Sequence, residues 1–118
     1  MNRENDSGRN PKFPIALFNG TVATTNGLYR VTDIAIEEIR KLIEAHGFVS
    51  AIGHKATAEV MSELLRVAID TNRIQFYQEV GQKAVVLKLN VRPPEGVVLS
   101  RREIESIGYT FKLMERLE

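Results

Sequence analysis

Cysteine is absent from this chain of 118 residues, and histidine occurs only twice, as His46 and His54. Without cysteine the chain has no disulfide bond, no thiolate nucleophile and no thiolate metal site, a composition that fits a cytoplasmic protein. Two histidines are too few for a histidine-rich metal site within one chain. We therefore expect neither a metal ion nor another cofactor.

An excess of one charge and long apolar runs are also missing. The formal net charge is +1, so we expect no stable complex with DNA, and an anionic ligand would need a local group of basic residues. No apolar run approaches the length of a membrane span, and the first residues lack the apolar core of a signal peptide. The 43% hydrophobic and 26% charged residues, at this length, indicate one globular domain.

The apolar pattern predicts a flexible polar tail over residues 1–14 and a single α/β domain over residues 15–118. The predicted element order is ββααββαβ, which gives a mixed sheet of about five strands flanked by helices. Adjacent strands allow hairpins, and Gly81 suits the first position of a tight turn. The predicted strands are 15–18, 28–31, 73–80, 83–91 and 109–117.

Helix ends are marked by single residues. Asp33 is expected to cap the first helix, and Gly47 suits the position just after it. The second helix is expected to run to about Ala68, and Ser100 with Glu103 forms a capping box for the third.

His54 lies where a short apolar run passes into the second helix. The first N–H groups of a helix have no internal partner and attract anions. Gly53, which has no Cβ, lets a ligand approach the backbone closely. His54 is therefore a candidate acid for phosphate chemistry, and the alternative is an ordinary helix residue with its ring in solvent.

Arg92 and Glu95 flank a pair of prolines in the segment RPPEG. Pro93 and Pro94 fix their own φ angles and keep the preceding residue extended, so this loop is expected to be stiff. Stiffness would hold the guanidinium and the carboxylate in defined directions. The alternative is a surface ion pair of little energetic value.

Three segments resemble, in order and spacing, those of the viral ring nucleases: SAIGHKAT at 50–57, TNR at 71–73 and RPPEG at 92–96. These are small type III anti-CRISPR proteins of archaeal viruses and bacteriophages, with bacterial relatives. The similarity covers about residues 15–117. It implies a homodimer with a mixed-sheet α/β fold that binds cyclic tetra-adenylate. It also implies metal-independent cleavage to linear di-adenylate with a 2′,3′-cyclic phosphate, which switches off type III CRISPR signalling.

The resemblance implies three catalytic residues, His54, Arg92 and Glu95. Cleavage by a ribose 2′-OH needs an acid for the leaving 5′-oxygen, for which His54 is suited, and a cation for the phosphorane charge, for which Arg92 is suited. Glu95 either orients His54 or accepts the 2′-OH proton. The implied ligand contacts are Asn19, Gly20, Thr21, Ile52, Gly53, Arg73 and Lys88.

Two other functions are compatible with the same residues. A binding module would sequester a cyclic nucleotide through Arg73 and Lys88 without cutting it, and only turnover separates it from a nuclease. A structural or DNA-associated protein of a virus or mobile element is suggested by Arg101 and Arg102. These arginines are explained more simply as a solvated helix surface, and the net charge of +1 predicts poor affinity for DNA.

Overall fold

The computed structural model describes residues 13–20, 23–91 and 96–118. Eight elements follow one another in the order ββαβαβαβ. They are β1 Ile15–Phe18, β2 Tyr29–Asp33, α1 Ile36–His46, β3 Phe48–Ala51, α2 Lys55–Leu65, β4 Lys83–Leu89, α3 Arg101–Ile107 and β5 Tyr109–Arg116. The predicted tail lies outside the described residues, except for its last two positions.

The strands form one mixed sheet in the order β2-β5-β4-β1-β3. Strand β1 is parallel to β3 on one side and to β4 on the other. Strand β5 is antiparallel to both β4 and β2. The predicted class, a single α/β domain with a mixed sheet of about five strands, is confirmed.

The predicted element order is wrong in two places. Strand β3 was missed because its four residues lie between two strong helical patterns. Residues 73–79, all of which the structure describes, form no strand. They cross one face of the sheet as a strap (residues 73–80): Phe76 packs on Phe18, with ring centroids 6.1 Å apart, and the buried Gln78 amide donates to main-chain carbonyls of Gln82 and Met114.

The predicted hairpins are also wrong. Strands β1 and β2 are separated in the sheet by β4 and β5. The burial pattern gives the reason, because all four residues of β1 are buried and require neighbours on both sides, whereas β2 is largely exposed and suits an edge. The turn before β4 runs from Glu79 to Gln82, with Gly81 in its third position at φ 89°.

Alternation along the strands gives the sheet two apolar faces. All three helices pack on one face, through a core that includes Ile15, Leu17, Ile39, Met61, Val85 and Ile104. The strap covers part of the other face, where Phe76 packs against a cluster of Ala16, Phe18, Ala84, Val86 and Met114.

The helix ends agree with the sequence in part. Gly47 follows α1 at φ 73°, and its N–H donates to Ile43 O at 2.7 Å, as predicted. Asp33 does not cap α1, because it is the last residue of β2 and its carboxylate binds Lys112, so Ala35 is the N-cap. Helix α2 ends three residues earlier than predicted, where Arg66 takes a left-handed conformation.

Candidate functional site

The carboxyl ends of β1, β3 and β4 meet at one edge of the sheet, since these three strands are parallel. Asn19 follows β1, Gly53 follows β3, and Asn90 follows β4. In open α/β sheets, ligands bind outside the carboxyl ends of the strands, at the point where the chain connections that leave two neighbouring strands run in opposite directions. We call this region the carboxyl edge.

His54 is the N-cap residue of α2 and has extended backbone angles of φ −124° and ψ 125°. Its carbonyl accepts the N–H of Ala58 at 3.1 Å, which begins the helix. Its side chain makes no capping hydrogen bond and is exposed. The imidazole is therefore available to a ligand at the end of a helix that attracts negative charge.

Gly53 is held from two sides. Its N–H donates to Asn19 Oδ1 at 3.3 Å, and its carbonyl accepts Arg73 Nε at 2.8 Å. A Cβ at Gly53 would lie 3.3 Å from Arg73 Cγ, so the absence of a side chain allows Arg73 to pack closely. These bonds bring together three of the predicted ligand-binding residues.

Two cavities open at the carboxyl edge and share Asn19. The larger, about 460 Å³, combines the aromatic rings of Phe18 and Phe76 with polar groups of Arg73, Gln75 and Thr24, and Gly20 and Gly53 also line it. The smaller, about 200 Å³, is lined by His54 and Thr57 against an apolar wall that includes Leu87 and Ile104. Arg73 and His54 thus lie in neighbouring cavities on either side of one amide.

Two predicted ligand contacts line neither cavity. The Ile52 side chain is fully buried in the helix-face core. Its N–H donates to Ser50 Oγ at 3.3 Å, and its carbonyl accepts the Asn72 N–H at 2.7 Å. Lys88 is exposed on β4, opposite Thr110.

Lys88 contributes instead to a charged row on the strap side of the sheet. The pKa of Asp33 is held below its usual value, chiefly by the hydrogen bond and charge of Lys112 and to a smaller extent by the charge of Lys88. Arg92, Glu95 and Thr21, which the sequence also singles out, lie outside the described residues.

Thr57 is a residue of the smaller cavity that sequence reasoning missed. It is the third residue of α2 and is buried beside His54. The third helical position carries one of the N–H groups that lack an internal partner. That position, inside the segment SAIGHKAT, was the signal that could have identified it.

Metal-ligand geometry is absent from the part of the chain that the structure describes, where no three His, Asp or Glu residues are grouped to hold an ion. None of the helices within residues 13–20, 23–91 and 96–118 has the length and apolar character that a membrane crossing needs. The chemical groups that the described part of the edge offers are an imidazole, a guanidinium, amides, two hydroxyls and helix N–H groups without an internal partner.

Known proteins resemble this chain in sequence or in fold. The chain is 36% identical over 106 residues to uncharacterized protein YddF of Bacillus subtilis strain 168, covering 88% of this chain and 98% of that one. It is 37% identical over 93 residues to uncharacterized protein ORF117 of Acidianus two-tailed virus, covering 76% and 80%. B116 of Sulfolobus turreted icosahedral virus has the same fold, with a TM-score of 0.64 at 22% identity over 87% of this chain and 99% of that chain. The family model described as STIV B116-like matches residues 15–111, and the chain therefore belongs to the STIV B116-like family.

Proposed function

We propose that this protein is a metal-independent ring nuclease that binds cyclic tetra-adenylate and cuts it to linear di-adenylate with a 2′,3′-cyclic phosphate. One observation carries the proposal: the imidazole of His54 and the guanidinium of Arg73 lie in adjoining cavities at the carboxyl edge, and the imidazole is exposed and makes no capping hydrogen bond. An acid beside a cation-lined cavity is what cleavage of a phosphodiester requires.

The larger cavity suits part of a nucleotide. Aromatic rings bind a base by stacking, and the amides of Asn19 and Gln75 can exchange hydrogen bonds with its edge. Arg73 supplies positive charge beside it, and the N–H groups at the start of α2 attract a phosphate next to His54. The base, the phosphodiester and the acid would then occupy one continuous region joined at Asn19.

Cleavage by this route forms a bond from the ribose 2′-oxygen to phosphorus and breaks the bond from phosphorus to the 5′-oxygen. His54, protonated, gives its proton to the departing 5′-oxygen. Arg92 stabilises the charge that develops on the phosphorane oxygens. The 2′-OH proton passes to Glu95, or to solvent water if Glu95 instead orients His54.

The test is incubation of the purified protein with cyclic tetra-adenylate, with products separated by chromatography and identified by mass. We expect linear di-adenylate ending in a cyclic phosphate. A ring that is bound and remains intact would identify a sequestering protein instead. A ring that is neither bound nor cut would reject both functions.

Cleavage should survive excess EDTA, because the proposed steps use side chains for proton transfer and charge stabilisation. The control is the same reaction with added magnesium or manganese. Activity that disappears in EDTA and returns with either metal would contradict the mechanism.

A further inference from the structure

Four hydrogen bonds join residues 50–53 to residues 70–73, and we call this set of contacts the clamp. Ser50 Oγ donates to Asp70 O at 2.7 Å. The main-chain N–H of Asn72 donates to Ile52 O at 2.7 Å, and its side-chain Nδ2 donates to Ser50 O at 2.8 Å. Arg73 Nε completes the set by donating to Gly53 O at 2.8 Å.

Asn72 is the centre of the clamp because it makes two of these bonds. Its main chain and its amide satisfy two carbonyls at the end of β3 and just beyond it, and β3 is the edge strand of the sheet. Main-chain carbonyls on the outer side of an edge strand have no neighbouring strand to pair with, so another donor must satisfy them. The segment that carries these two carbonyls continues directly into Gly53 and His54.

We propose that Asn72 is a positioning residue that fixes Arg73 in the larger cavity relative to His54 in the smaller one. Arg73 is its neighbour in the chain, and His54 follows the Gly53 carbonyl that Arg73 binds. A rigid link between the two groups matters because displacing a reacting group by about 1 Å can slow catalysis by about a hundredfold. The clamp also gives a physical reason for the joint presence of the SAIGH and TNR segments.

The kinetic consequence rests on the proposed function. Asn72→Ala deletes the bond from Nδ2 to Ser50 O. The matched variant Ser50→Ala deletes the bond to Asp70 O and the long bond from Ile52 N, and it leaves both Asn72 bonds in place. We expect Asn72→Ala to slow single-turnover cleavage at saturating cyclic tetra-adenylate by about 10–100-fold. Ser50→Ala should stay within about threefold of the parent rate, and so should Asn26→Ala in the exposed turn before β2. A change of about threefold in rate corresponds to less than the usual net free energy of one hydrogen bond.

Thermal unfolding of the three variants shows whether a variant that cuts slowly has also lost stability, and so separates positioning from loss of structure. Asn72→Ala and Ser50→Ala each remove one bond between the same two segments, so a purely structural clamp predicts equal losses of cleavage rate. Equal rates in the two variants would overturn the inference while leaving the proposed function intact.

A second readout needs no activity. The chain has two histidines, so the imidazole signals of the ligand-free protein can be assigned with His46→Ala. We expect Asn72→Ala to shift the His54 signals, and Asn26→Ala to leave them in place. Unchanged His54 signals in Asn72→Ala would overturn the inference even if the parent protein cuts no ring.

Discussion

At the scale of single residues, His54 occupies the N-cap position of α2, where several other side chains would stabilise the helix more. Ser, Thr, Asn or Asp at an N-cap accepts a helix N–H and typically stabilises a protein by about 0.5–2 kcal/mol relative to Ala. The His54 side chain makes no such bond and remains exposed beside a cavity. A residue that gives up local stability at the mouth of a cavity is typical of a site where function sets the choice.

His54→Ala should slow cleavage of cyclic tetra-adenylate by about 10²–10⁴, which is the usual contribution of a positioned acid or base. Binding should change little, since phosphate and base contacts come from other groups. Single-turnover rates and equilibrium binding measure the two effects separately. His46→Ala, at the end of α1, is the matched control, and a His54→Ala rate equal to that of the parent would show that His54 is not the acid.

His54→Asn should raise stability while it abolishes the acid. Asn is among the best N-cap residues, so we expect a gain of about 0.5–1 kcal/mol in the free energy of unfolding. Cleavage should fall as far as in His54→Ala. Urea unfolding and cleavage assays on the same preparation provide the measurement, and a less stable His54→Asn protein would contradict the account of this helix end.

At the scale of elements, the parts with local signals were predictable. The capping box of α3 is present as predicted, with Ser100 N donating to Glu103 Oε1 at 2.9 Å and Glu103 N donating to Ser100 Oγ at 3.2 Å. Gly47 also ends α1 as expected. These features depend on residues a few positions apart, which the sequence displays directly.

Elements that depend on distant contacts were not predictable from pattern alone. Residues 73–80 read as a strand, but Gln78 satisfies main-chain carbonyls with its side chain and Phe76 packs onto the sheet instead of joining it. Asp33 is a good cap by type, yet its partner Lys112 comes from the last strand. In both cases a tertiary contact determines the outcome.

The capping box should make stability depend on pH through Glu103. Its hydrogen bond from the Ser100 backbone, followed by that from the Ser100 side chain, lowers the pKa of Glu103 below its usual 4.5. A carboxylate with a lowered pKa in the folded state stabilises the fold above pH 4.5, and this contribution disappears as the pH falls through the folded value.

Glu103→Gln should therefore be less stable than the parent at pH 7, with a difference that shrinks as the pH falls below about 4.5. Urea unfolding of both proteins at a series of pH values measures this difference. Glu44→Gln, on the exposed side of α1, is the control for loss of a charge. A Glu103→Gln difference that is constant across the series would rule out the carboxylate as its source.

At the scale of the whole molecule, the site combines predicted and unpredicted features. Five residues that the sequence singled out line the two cavities at the carboxyl edge: Asn19, Gly20, Gly53, His54 and Arg73. Ile52 and Lys88 line neither cavity, because alternation and burial turn their side chains elsewhere. Thr57 could be assigned to the site only from the structure, in which the first turn of α2 and strand β4 line the same cavity.

The proposed substrate predicts a homodimer. A ring of four nucleotides on a twofold axis presents equivalent phosphates to two copies of one chain, and two cuts then yield two di-adenylates. Light scattering with and without cyclic tetra-adenylate measures the mass in solution. A monomer under both conditions would count against the proposed mode of cleavage.

The position of β1 between β3 and β4 has a consequence for the order of folding. Both strands that pair with β1 lie later in the chain: Ala16 pairs with Val49 and with Ala84. During synthesis the apolar segment of β1 therefore emerges long before its second neighbour exists. Pairings between such distant segments form slowly and leave apolar surface exposed in the meantime. We therefore expect the carboxyl edge to form late in folding, because a nascent chain that ends before β4 contains His54 and Arg73 but lacks one of the three strands whose ends form this edge.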